Sequence, residues 1–83
     1  MKIEVIESKT IGYKSLFINV LEAIRACRIN SKVELTSDIQ TILKYGIKAT
    51  PALVINGVVL FAGQLQSSEQ IMKLIQQQIQ PLV

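Results

Sequence analysis

Two apolar runs meet at an Asn-Gly step. Ala52 to Ile55 and Val58 to Ala62 are almost continuously apolar, and Asn56-Gly57 between them is the dipeptide favoured by a two-residue type I′ turn. The pair reads as a β-hairpin. It is opened by Pro51, whose missing N–H suits a strand start, and closed by Gly63. Unbroken apolar runs, in place of alternating ones, predict a central ribbon covered on both faces, most simply by helices.

Upstream, Lys2 to Ser8 predicts the first strand, with Ile3 and Val5 on one face and Ile6 beginning the other. From Tyr13 to Arg28 the apolar positions Leu16, Phe17, Val20, Leu21, Ile24 and Cys27 recur at intervals of three and four, which predicts an amphipathic helix ended by Asn30-Ser31. Lys32 to Leu35 reads as a short strand. Ser37-Asp38-Ile39-Gln40 has the form of a capping box with Ser37 as the cap, opening a short helix with a buried stripe of Ile39, Ile42 and Leu43 and a left-handed cap at Gly46. A second capping box, Ser67-Ser68-Glu69-Gln70, opens a last helix to Gln80. Its core positions are Ile71, Met72, Ile75 and Ile79, and Pro81 is its stop. The order β-α-β-α-β-β-α predicts an α/β fold, a four-stranded mixed sheet with helices on both faces.

Length narrows this to one domain over residues 1–83, because a chain of 83 residues buries only about 60 to 65% of its unfolded surface in one modest core. The net charge is +3, nine basic residues against six acidic ones, and the basic residues are scattered, which falls short of a nucleic-acid footprint. No apolar segment approaches the roughly 18 residues of a membrane span, and the N-terminus opens on a strand in place of a signal core, so the expected location is cytoplasmic. With one cysteine and no histidine, the chain is expected to hold no internal disulfide, no metal, no cofactor and no Cys/His nucleophile pair.

The opening strand Met1 to Ile6, Lys44-Tyr45-Gly46-Ile47, the block Ala49-Thr50-Pro51-Ala52-Leu53-Val54-Ile55-Asn56-Gly57, and Gly63 ahead of a capped helix together resemble the small thioredoxin-like redox-disulfide proteins. The resemblance covers nearly the whole chain and implies the minimal thioredoxin-like fold. It further implies that Pro51 is the family's cis-proline and that Thr50 offers backbone groups to a bound peptide. The family's Cys-x-x-Cys pair falls at Thr10 and Tyr13, where this chain reads Thr10-Ile11-Gly12-Tyr13. Both sulfurs are missing. Dithiol exchange needs a thiolate and a resolving thiol, and neither a threonine hydroxyl nor a phenol replaces them at neutral pH. Thr10 is then read as a helix cap and Tyr13 as cover for the helix start.

Two further features carry chemistry. Cys27 sits on the apolar stripe near a helix C-terminus whose partial negative charge disfavours thiolate, so it reads as a largely buried, inert thiol. In this fold Lys9 and Lys14 flank the first helix's N-terminus and Lys48 comes up beside Thr50-Pro51; they read first as solvated lysines around a loop, the alternative being a shallow anion-binding rim, with Glu7 offsetting part of their field. Two functions are consistent with these residues. One is a non-catalytic module binding a protein or peptide in the groove beside Thr50 and Pro51. The other is a thiol–disulfide oxidoreductase-related protein of cell redox homeostasis, using Cys27 or a partner's cysteines.

Overall fold

The computed structural model describes residues 1–9 and 14–79. Its elements are β1 (Ile3–Ile6), α1 (Ser15–Ala26), β2 (Val33–Thr36), α2 (Ile39–Lys44), β3 (Ala52–Ile55), β4 (Val58–Ala62) and α3 (Ser68–Ile79), the expected order. The strands form one mixed sheet in the order β2-β1-β3-β4. β1 runs parallel to β2 and antiparallel to β3, and β3 runs antiparallel to β4.

Strand periodicity divides the sheet's side chains between two cores. Ile3 and Val5 of β1 and Leu53 and Ile55 of β3 face α1 and α3, where Leu16, Val20, Ala23, Ile24, Ile71 and Ile75 complete a buried cluster. Each buried Val, Leu or Ile side chain there contributes about 1.5–3 kcal/mol. The other face is thinner. Ile6, Ala52, Val54 and Ile47 are buried there, with Ile42 and Tyr45 packed over them.

The hairpin turns as expected: Asn56 and Gly57 have φ of 52° and 81°, the two left-handed residues of a type I′ turn. Asn56 also ties the turn to the start of β1, its Oδ1 accepting from the Lys2 N–H at 2.8 Å while its own N–H donates to the Lys2 carbonyl at 2.8 Å. The hairpin is not the sheet's central ribbon, however. β3 is fully buried, but β1 takes its other side, which leaves β4 on the edge with Val58 and Val59 exposed. A continuous apolar run marks β character, not the number of covered faces.

Helix ends differ from the sequence reading in instructive ways. α1 ends at Ala26 with Cys27 as its C-cap, ahead of Asn30-Ser31: Arg28 has φ 57°, its N–H donates to the Arg25 carbonyl, and the Ile29 N–H reaches the Ile24 carbonyl, a Schellman motif with a non-glycine residue in the left-handed position. Gly46 closes α2 with the same motif, as expected, through Gly46 to Leu43 and Ile47 to Ile42. β2 extends through Thr36, one residue beyond the expected strand, and this shifts the cap of α2 from Ser37 to Asp38. The Asp38 carboxylate accepts from the Gln40 N–H at 3.3 Å, the bond expected of Ser37. Nor is the predicted stripe of α2 buried. Ile39 is 67% and Leu43 73% exposed, so only Ile42 packs on the sheet. The capping box of α3 forms as read, Ser67 and Gln70 exchanging backbone-to-side-chain bonds at 2.9 and 3.2 Å. Ile71 and Ile75 of α3 are buried and Met72 partly so, whereas the Ile79 side chain and the Pro81 stop lie outside the described residues.

Candidate functional site

One end of the sheet holds Glu7, Pro51 and Gly63 close together. Because Ile6 pairs with Ala52, the residues just beyond them, Glu7 and Pro51, lie side by side where β1 runs out and β3 begins. The Thr50–Pro51 peptide bond is cis. The Pro51 carbonyl accepts from the Gly63 N–H at 2.8 Å, which fastens the far end of β4 to the same corner. Only glycine suits position 63. Its φ is 85°, and a Cβ placed there would lie 2.9 Å from the Ala49 Cβ, too close for any real pair.

Glu7 is the functional-looking residue that sequence reasoning undervalued. It is buried, and its two carboxylate oxygens accept from the Leu16 N–H at 3.3 Å and the Phe17 N–H at 3.0 Å, the second and third residues of α1. The N-cap residue itself, Lys14, has φ 75° and no side-chain cap bond, so Glu7 caps the helix from the neighbouring strand. A buried carboxylate is tolerable only when hydrogen bonded, and a helix N-terminus supplies both N–H donors and a favourable dipole. The signal was present as parity: Glu7 continues Ile3 and Val5 onto the α1 face, just as Glu4 continues Ile6 onto the other. There Glu4, also buried, accepts from the Tyr45 hydroxyl at 2.6 Å. That hydrogen bond, then burial, then the nearby Glu4 and Glu34 charges raise the Tyr45 phenol above its usual 10.0.

The remaining expected site residues fall into three groups. Thr50 and Pro51 are half-buried at this corner, and Lys9, Lys14 and Lys48 are exposed. Thr10, Ile11, Gly12 and Tyr13 lie outside the described residues. Cys27 is the C-cap of α1 and only half-buried, more open than expected. It stands at the opposite end of the helix from Glu7, about 18 Å from Ser15 at 1.5 Å per residue. Among the described residues no three His, Cys, Asp or Glu side chains cluster as a metal site, and no helix is long and apolar enough to cross a membrane.

A family model described as a thioredoxin domain matches residues 1–76. The chain belongs to the thioredoxin-domain family. A search of curated protein sequences found no significant match. The chain's one cysteine, Cys27, lies at the far end of α1 from the helix start.

Proposed function

We propose that this thioredoxin-domain chain is a non-catalytic module that binds a protein or peptide at the corner formed by Thr50, Pro51 and the start of α1. The observation that carries the proposal is Glu7. In a dithiol enzyme the helix N-terminus lowers the pKa of the attacking thiol. Here a carboxylate of the chain's own already holds the Leu16 and Phe17 amides, so the helix start serves stability and not thiolate formation. Lys9, Lys14 and Lys48 are the cationic rim of the site and favour a partner with acidic side chains or a free carboxylate. A single cysteine without a disulfide partner suits a reducing compartment, and we place the module in the cytoplasm.

Selection from a random peptide display library against the immobilised native chain tests this reading. Enriched peptides should bind with amide shift changes at Thr50, Ala52 and Lys48 and should weaken when Lys48 is replaced by Glu. Failure to enrich any sequence, or shifts confined to the far side of the sheet, would overturn it.

A second reading, oxidoreductase chemistry at Cys27 or with a partner's cysteines, has one observation in its favour, the partial exposure of that sulfur. Its position tells against it. At a helix C-terminus the dipole opposes a thiolate. Labelling of native protein with a thiol reagent separates the two: Cys27 should react no faster than a free thiol does at the same pH, and rapid labelling with a pKa well below about 8.5 would favour the enzyme.

A further inference from the structure

The tip of the β3–β4 hairpin, at the other end of β3 from Pro51, joins a reactive pair of residues. Of the three asparagines in the chain, Asn19 precedes Val20, Asn30 precedes Ser31 and Asn56 precedes Gly57. An asparagine side chain is attacked most readily by the next residue's nitrogen when that residue is glycine, because no Cβ stands in the way. Asn56 and Gly57 are both exposed, so water reaches the pair. The fold opposes the attack. Asn56 is held at φ 52° in a two-residue turn between paired strands, its Oδ1 accepts from the Lys2 N–H at 2.8 Å, and its own N–H donates to the Lys2 carbonyl at 2.8 Å. Ring closure needs rotation about the Asn56 Cα–C bond to bring the Gly57 nitrogen to Cγ. The turn fixes that rotation, and the side-chain bond to Lys2 fixes Cγ.

We infer that Asn56 is a self-modification site, deamidating to aspartate and isoaspartate when the hairpin tip opens, and that its two bonds to Lys2 are the latch that holds the reaction back. In the first step the Gly57 nitrogen bonds to Asn56 Cγ, and the side-chain nitrogen leaves as ammonia with the proton that the Gly57 nitrogen gives up. Water then opens the five-membered imide at either carbonyl. No oxidant or reductant is involved. Opening at one carbonyl yields aspartate, which tolerates a positive φ and still offers an oxygen to the Lys2 N–H. Opening at the other yields isoaspartate, whose main chain runs through the former side-chain carbons. That adds a backbone atom to a two-residue turn and breaks the pairing of Ile55 with Val58. Because the closed turn does not react, conversion proceeds through the locally open fraction of the chain, which the latch sets.

Incubation of the full chain at neutral pH, folded or unfolded in urea, is the test, with peptide mass spectrometry reading the acid formed and methyl acceptance by an isoaspartate methyltransferase reading the isomer. In urea, Asn56 should convert ahead of Asn30 and Asn19. Folding should slow Asn56 on the order of tenfold or more, the worth of two hydrogen bonds, while exposed Asn30 serves as the internal clock. Lys2→Pro, made by chemical synthesis so that Met1 is retained, removes the N–H of the latch and should speed conversion in the folded chain about two- to tenfold. Lys2→Ala, which keeps that N–H, should leave the rate unchanged. Should Lys2→Pro fail to fold, the unmodified chain in urea below its midpoint decides: conversion and hydrogen exchange of the Asn56 amide should rise together. An Asn56 that converts as fast folded as unfolded, or does not convert in urea, overturns the inference. So do equal rates in the two Lys2 variants, or conversion that does not follow exchange.

Discussion

The two faces of the sheet are held by different means. Against α1 and α3 the sheet buries a contiguous aliphatic cluster from four elements, closed at the helix start by the Glu7 carboxylate. Against α2 it buries four residues and depends on Ile42, Tyr45 and one phenol-to-carboxylate bond to hold a six-residue helix that has no buried residue of its own. Aliphatic packing is non-directional and insensitive to pH, whereas a clasp through Tyr45 and Glu4 depends on protonation. The thick face thus sets global stability and the thin face local stability, and the corner around Pro51, where both meet, inherits a rigid side and a soft one.

The largest effect is expected on the thick face. Ile75→Ala, from a fully buried position, should cost about 2–5 kcal/mol, read as a lower urea midpoint at constant m-value. A loss below about 1 kcal/mol would mean that α3 contributes little and that the contrast between the faces is false. Next, Glu7→Ala should cost about 1–3 kcal/mol by leaving one buried and one partly buried N–H group without an acceptor, and Glu7→Gln, which keeps one acceptor oxygen, should cost less.

The thin face should respond to pH. With its folded pKa raised above 10.0, Tyr45 adds stability that is complete below pH 10 and is lost as pH rises through the folded value. The urea midpoint of the unmodified chain should therefore fall more steeply above pH 10 than that of Tyr45→Phe. Parallel curves would remove the clasp from the account. Smallest of all, Leu43→Ala should change stability by no more than about 0.5 kcal/mol, because the side chain is 73% exposed. In native-state hydrogen exchange, α2 amides should open well before those of α1 and α3.

Much of this was legible along the chain, for reasons that differ by element. The hairpin turn was legible because Asn56-Gly57 specifies a local backbone geometry, and α3 because its capping box and its 71/75 spacing agree. α2 was misread. Six residues are too few for a periodicity to be tested, and Ile39, Ile42 and Leu43 look alike until the sheet they face is known to be thinly covered. β4 was misplaced because edge and centre are decided by strand order, a long-range property that its own residues do not encode. At the site, Glu7 was visible only through its parity with Ile3 and Val5, and its partners Leu16 and Phe17 are distant in sequence. The left-handed Arg28 had no signal, since nothing in an arginine announces a positive φ.

The account's central claim is that this thioredoxin domain works without thiol chemistry. A disulfide-reduction assay with a chemical reductant as electron source tests it most directly, comparing the unmodified chain with Cys27→Ser. Both should reduce the substrate no faster than reductant alone. A rate above that background in the unmodified chain, abolished by Cys27→Ser, would contradict the claim and make Cys27 a working nucleophile.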